Sequence, residues 1–137
     1  PTEDPEVISR WVARVFGKIE QNLDDILAWE EEGTGDAEIL VVAYGSTARS
    51  AYRAVALARA QGRRVGFFRP KTIWPFPQAA LQAAARRVRR VIIPEMNLGQ
   101  LALEVERVVG CSRVRRINTA VGEMIAPGEI LAVIEEG

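Results

Sequence analysis

The sequence contains no histidine and a single cysteine, Cys111. Without histidine, most zinc sites and all His-based acid–base or nucleophilic catalysis are excluded. One cysteine permits no internal disulfide and no cysteine cluster for an iron–sulfur centre, and with no His or paired Cys to activate it Cys111 is read as a small loop or packing residue. No apolar run approaches the ~20 residues that cross a bilayer. No basic-then-apolar leader is present, so a cytoplasmic setting is expected. The chain opens at Pro1 without a methionine, as a piece of a longer polypeptide would.

A local absence is more telling. Residues 39–94 hold no Asp or Glu against 11 Lys or Arg, whereas residues 1–38 hold 11 acidic side chains and 3 basic ones. Such a block either receives the acidic N-terminal segment folded back onto it or faces an anionic partner. The internal or intersubunit pairing is the preferred reading. Arg86-Arg87-Val88-Arg89-Arg90 could grip phosphates, but no aromatics interleave it and no nucleic-acid module surrounds it, so a solvated helix-to-strand junction is expected.

What is present is a strand–helix alternation. Ile39 to Tyr44 is an unbroken apolar run that stops at Gly45-Ser46, the mark of a strand buried on both faces. Strands are expected at 39–44, 64–69, 89–94 and 113–117, and helices at 47–61, 78–87 and 99–109. A loop at 119–126 then leads to a last short helix from Pro127. Connections of this length imply right-handed crossovers and a three-layer α/β/α domain with a mainly parallel four-stranded sheet, order 2-1-3-4. Ahead of it, Asp4-Pro5 starts a long amphipathic helix over 5–31, with Ile8, Trp11, Val12, Val15, Phe16, Ile19, Leu23, Ile26 and Leu27 on one stripe. Residues 1–38 are therefore read as a connecting helix and linker, and 39–137 as the α/β domain. The stripe needs a cover, either the sheet, a preceding domain or another subunit, and it permits a dimer of the fragment.

Ligands and partners of such sheets gather at the carboxyl ends of the strands. Gly45-Ser46-Thr47 stands there, as a helix cap alone or as a cap that also contacts an anion; neither the G-x-G-x-x-G nor the Walker spacing occurs. Arg69 can meet a carboxylate or phosphate bidentately. Trp74-Pro75-Phe76-Pro77 is a rigid segment whose two aromatics either dock a partner or plug the domain's own core. Glu95, Asn97 and Gln100 follow the third strand, and Glu95 and Asn97 are placed to hydrogen-bond across the crevice toward Gly45-Ser46. A structural role for Glu95 stands ahead of a catalytic one, since no second group accompanies it. No residue is expected to be catalytic. Gly45, Ser46, Thr47, Arg69, Trp74, Phe76, Glu95, Asn97 and Gln100 form the expected interaction or anion-binding edge.

Four strings carry a resemblance: Val41 to Thr47, Phe68 to Pro77, Pro94 to Gln100 and Gly122 to Ile125. In this order they resemble the C-terminal domain of the α subunit of 2-oxoacid:ferredoxin oxidoreductases, the 2-oxoglutarate branch ahead of pyruvate, over roughly residues 39–134. The resemblance implies a transketolase C-terminal-like fold. That fold often carries an added antiparallel edge strand, for which no segment is found because helix 5–31 occupies that part of the chain. It also implies an enzyme that oxidatively decarboxylates a 2-oxoacid on thiamin diphosphate with Mg2+. Electrons pass through an iron–sulfur cluster to ferredoxin, and the acyl group passes to coenzyme A. This chain has neither a Gly-Asp-Gly thiamin motif nor cluster cysteines, so no cofactor is expected within it. An upstream domain of the same α subunit and a β subunit are the implied partners, with no nucleic acid and no membrane. The other reading is a stand-alone anion- or nucleotide-binding α/β module using the acid-free block.

Overall fold

The computed structural model describes residues 3–120 and 122–136; residues 1, 2, 121 and 137 lie outside it, so the expected 119–126 loop is described except at 121. Helix α1 (Pro5–Glu20) begins as expected, with the Asp4 carboxylate accepting from the Glu6 N–H at 2.9 Å and Pro at the first position. It ends eleven residues before the expected limit at 31. A single turn, α2 (Leu23–Ile26), follows, and the backbone then becomes extended at β1 (Trp29–Glu32).

β1 is the antiparallel edge strand that sequence reading did not find. It pairs with β3 (Val65–Pro70), Glu30 opposite Arg69 and Glu32 opposite Phe67. Continued helical spacing at Ile26 and Leu27 concealed it. Three consecutive glutamates at a helix carboxyl end would oppose the helix dipole; as a strand, Glu30 instead faces Arg69 and Lys71. The segment is fastened by the Thr72 hydroxyl, which donates to the Ile26 carbonyl at 2.6 Å and accepts from the Ala28 N–H at 3.0 Å. Tertiary bonds have overridden local periodicity.

The remaining strands are β2 (Ile39–Val42), β4 (Arg90–Glu95) and β5 (Val114–Asn118), all parallel to β3. The sheet order is β1-β3-β2-β4-β5. The four parallel strands thus keep the expected 2-1-3-4 order, and the expected count of four becomes five. The sheet draws on residues ahead of 39. Helices α3 (Thr47–Ala60), α4 (Gln78–Ala84), α5 (Gln100–Val109) and α6 (Pro127–Glu135) supply the outer layers.

Strand side chains alternate between two cores. Leu40, Val42, Phe68, Val91 and Ile93 pack with Leu81 of α4 and Leu101, Ala102 and Val105 of α5. Ile39, Val41, Val65, Phe67 and Ile92 pack with the alanine face of α3 and with Ile130 and Ile134 of α6. Every residue of β2 is buried, as a strand covered on both sides requires. α1 takes no part in either core: none of its residues is buried, and Trp11 and Phe16 are 58% and 51% exposed.

The acid-free block is partly neutralised from within. Glu30 meets Arg69 and Lys71, Asp36 meets Arg59, and Glu38 meets Arg64 and, more distantly, Arg89. Hydrogen bonding to Arg59 holds the Asp36 carboxyl below its ordinary range.

Candidate functional site

The parallel register of β3, β2 and β4 brings the three turns that follow them to one edge of the sheet. At the end of β2, Gly45 has φ 56, a left-handed turn that glycine takes without strain. It delivers Ser46 to the N-cap of α3, but the Ser46 hydroxyl caps nothing there and instead lies 3.7 Å from the Met96 sulfur as its donor. Thr47 is buried in the first turn. Gly45, Ser46, Arg49, Tyr52, Phe67, Arg69 and Glu30 line an open groove of about 270 Å3 at this corner.

Charge in that groove is largely spoken for. Arg69 Nη1 reaches Glu30 at 3.3 Å and Lys71 Nζ reaches the same carboxylate at 2.6 Å. The Lys71 hydrogen bond, aided by the nearby charges of Lys71 and Arg69, holds the Glu30 carboxyl below its ordinary range. The anion that Arg69 was expected to meet is thus one the chain supplies itself. Tyr52 sits edge-on to Phe67, ring centroids 5.7 Å apart, and its hydroxyl pKa is pushed up by hydrogen bonding with the Glu32 carboxylate.

The turn after β4 is held from inside. Glu95 is fully buried, and its two carboxylate oxygens accept from the Leu101 N–H at 2.8 Å and the Ala102 N–H at 3.0 Å. Asn97 Oδ1 accepts from the Gly99 and Gln100 N–H groups at 2.7 and 3.2 Å. Four backbone donors at the start of α5 are therefore occupied by two side chains. Gly99 adopts φ 102, where a Cβ would also approach Arg116 Nη1 to 3.0 Å. Glu95 does not reach across the crevice as expected, because its carboxylate turns under its own helix. Asn97 does cross it: its Nδ2 donates to the Tyr44 hydroxyl at 2.9 Å.

The aromatic segment divides. Phe76 is half-buried against the core beside α4, and Trp74, joined to Pro75 by a cis peptide, is 66% exposed. Leu98 is 79% exposed on the turn after β4, and Gln100 is exposed with its backbone N–H bound by Asn97. Gly45, Ser46 and Arg69 are thus brought to one groove, Asn97 onto the Tyr44 hydroxyl, Trp74 to an open loop, Thr47 and Glu95 to interior positions, and Phe76 to a half-buried one. Sequence reading missed Tyr44, Arg49, Tyr52 and Glu30. Arg49 and Tyr52, three apart on the face of α3 away from its alanines, were legible by period; Glu30 was hidden with β1.

Among the described residues, no three His, Cys, Asp or Glu side chains stand together as metal ligands. Cys111 is exposed on a short 3₁₀ turn, Cys111–Arg113. This donor set does not fit a thiamin diphosphate–Mg2+ cradle or an iron–sulfur cluster. No helix among the described residues is long and apolar enough to cross a membrane.

Residues 37–130 match the family described as pyruvate:ferredoxin oxidoreductase core domain II. The chain is 42% identical, over 96% of its length, to the 2-oxoglutarate synthase subunit KorA of Methanothermobacter thermautotrophicus, of which it spans 35%. Its fold superposes, with a TM-score of 0.87 and 27% identity, on the 2-oxoglutarate:ferredoxin oxidoreductase of Magnetococcus marinus, solved with 2-oxoglutarate, coenzyme A and succinyl-CoA bound; 99% of this chain and 24% of that one are covered. A split-gene transketolase shares the fold at 19% identity and a TM-score of 0.65, over 80% of this chain and 40% of that one. The chain spans about a third of the curated relative and a quarter of the solved one. With its five-stranded, transketolase-like sheet, this chain belongs to the pyruvate:ferredoxin oxidoreductase core domain II family.

Proposed function

We propose that this chain is the transketolase C-terminal-like domain of the α subunit of a cytoplasmic, thiamin-diphosphate-dependent 2-oxoacid:ferredoxin oxidoreductase, one that converts a 2-oxoacid to its acyl-CoA. The observation that carries the reading is the similarity to a 2-oxoglutarate synthase subunit along nearly the whole chain. The domain is a structural part of that enzyme. Its buried carboxylate is committed to a helix start and its rim arginine to Glu30, so neither is left for bond-making. Thiamin diphosphate, Mg2+ and the cluster belong to other domains or to a β subunit. The strand-end edge, comprising Gly45, Ser46, Thr47, Arg69, Trp74, Phe76, Glu95, Asn97 and Gln100, shapes that assembly. Trp74 and Leu98 are its outward contacts, and the remaining residues hold the turns that present them. The segment ahead of β1 connects this domain to the upstream one, with the apolar face of α1 covered in the assembled subunit.

The test has two parts. Purified chain mixed with 2-oxoglutarate or pyruvate, thiamin diphosphate, Mg2+, coenzyme A and a viologen acceptor should give no acyl-CoA; turnover would end the reading. In the complete enzyme, Trp74→Asp should lower recovery of the αβ complex while leaving α-subunit folding intact. Full assembly and full turnover by that variant would remove Trp74 from the interface.

A further inference from the structure

Several of the arginines that are paired least closely collect at the amino edge of the sheet, opposite the strand-end rim. β4 begins at Arg90, and its register with β5, Val91 opposite Val114, sets Arg89 and Arg90 beside Arg113. α6 ends at the same place, since Arg90 Nη2 donates to the Ile134 carbonyl at 3.0 Å. Between them lies a groove of about 370 Å3 lined by Arg89, Arg90, Ser112, Arg113, Val114 and Arg115. Four guanidiniums line it, with no carboxylate and no aromatic ring among the lining residues.

Two of the four are built into the fold. Arg113 donates to the carbonyls of Val109 at 2.8 Å, Val88 at 3.1 Å and Ala85 at 3.3 Å, closing the carboxyl end of α5 onto the α4–β4 connection. Arg90 holds the end of α6, while its Nε is buried with no hydrogen-bond acceptor among the described residues. The other two cations are loosely held. Arg89 and Arg115 lie 3.9 Å from Glu38 and Glu136, beyond hydrogen-bond reach, and their side chains are 60% and 61% exposed. Glu38 is meanwhile engaged by Arg64. Two guanidiniums fixed by the backbone thus sit with two exposed ones whose carboxylate partners are held only loosely, leaving their forked donors open to a stronger anion.

We propose that this groove binds a compact polyvalent oxyanion of the diphosphate class. Arg113 and Arg90 supply the fixed positive field, and the forked guanidiniums of Arg89 and Arg115 close on phosphate oxygens. With no aromatic lining on which a base could stack, the phosphate chain is what is recognised, not a nucleobase. The site is separate from the strand-end rim and does not depend on the function proposed above.

The chain should bind inorganic pyrophosphate saturably in isothermal titration, one per chain, and more weakly as salt rises from about 50 to about 200 mM. Arg89→Gln/Arg115→Gln should lose about tenfold or more in affinity with an unchanged melting temperature. Arg86→Gln/Arg87→Gln, on a surface shared with Glu31 and Thr34, should lose less than about twofold. ADP should bind within about threefold of pyrophosphate. Absence of pyrophosphate binding, or equal losses in the two double variants, would overturn the site. ADP binding more than about tenfold tighter would overturn recognition through phosphate alone.

Discussion

α1 and α5 are both amphipathic, each with a single apolar stripe at three- and four-residue spacing. α5 buries Leu101, Ala102, Val105 and Val109 against the sheet, whereas α1 buries no residue and touches little besides α2. The difference lies in what fixes each helix to the rest of the chain. α5 is joined to β4 by Glu95 and Asn97, whose side chains hold four of its N-terminal donors, and to the α4–β4 connection by Arg113. Among the described residues, the side-chain bonds on α1 are local: its Asp4 cap, the Asn22 amide on the Lys18 carbonyl and a loose Glu6–Arg10 pair at 3.9 Å. An apolar stripe of that size left in water marks a contact surface. α5 therefore belongs to the domain's own stability, and α1 is the surface proposed above to be covered in the assembled subunit.

The sharpest way to break this contrast is at Glu95. Replacing it with Ala strands two buried N–H groups in the middle of a core, which should cost about 2–5 kcal/mol. Urea unfolding of the chain checks this, and a loss under about 1 kcal/mol would mean that α5 is held by packing alone. Glu95→Gln retains one acceptor and should lie between.

Truncating the two stripes gives the next largest effect. Leu101→Ala should destabilise the chain by about 2–4 kcal/mol, as a buried leucine does when its cavity cannot fully collapse. Phe16→Ala should stay within about 0.5 kcal/mol, because Phe16 is 51% exposed. In the complete enzyme the order should reverse for assembly, with Phe16→Asp reducing recovery of the complex. If Phe16→Ala unfolds the isolated chain, α1 has a cover within it and the contrast is lost.

These two helices also show what sequence could and could not convey. The α1 stripe was legible from period, and the four parallel strands and their order from apolar runs and connection lengths, because each local preference agreed with the final packing. What covers a stripe is not written in the stripe. The stretch 21–32 misled for a related reason: Ile26 and Leu27 continued the helical spacing, while the bonds that end the helix come from Thr72, more than forty residues away. The same lost strand concealed Glu30, so Arg69 was read as available for an outside anion. Glu95 was recognisable as a lone carboxylate at a strand end, but the direction of its side chain depends on the following turn, which Gly99 and Asn97 set together.

A pH comparison probes a third anchor of α5. Glu106 accepts from Arg116 Nε at 2.8 Å and Nη2 at 2.6 Å, tying the helix to β5. The hydrogen bond to Arg116, then its charge, lowers the Glu106 pKa below its ordinary 4.5, against the opposing effect of burial. A carboxyl depressed in the folded state contributes stability that is complete above its unfolded pKa and is lost as pH falls through the folded value. The contribution should therefore be level from neutral pH down to about 5 and decline in more acid solution. Arg116→Gln should remove that decline at acid pH, measured as urea midpoints across the range. An unchanged acid limb would show that the pair contributes nothing to folding.

The smallest effect is the most diagnostic of α1. A helix of 16 residues with no cover is marginal in water, so its local devices carry a large share of whatever stability it has. Asp4→Ala removes an acceptor for the Glu6 N–H and a negative charge at the positive end of the helix, a loss of about 0.5–1 kcal/mol. That loss should be invisible in global unfolding, since α1 does not share the core that unfolds. It should appear as about two- to fivefold faster amide exchange across residues 8–16, with α5 unaffected. In the complete enzyme the acceleration should vanish, because a covered stripe stabilises the helix by far more than its cap. Equal acceleration in both settings would show that α1 stays in water even when assembled, and its apolar face would then need another explanation.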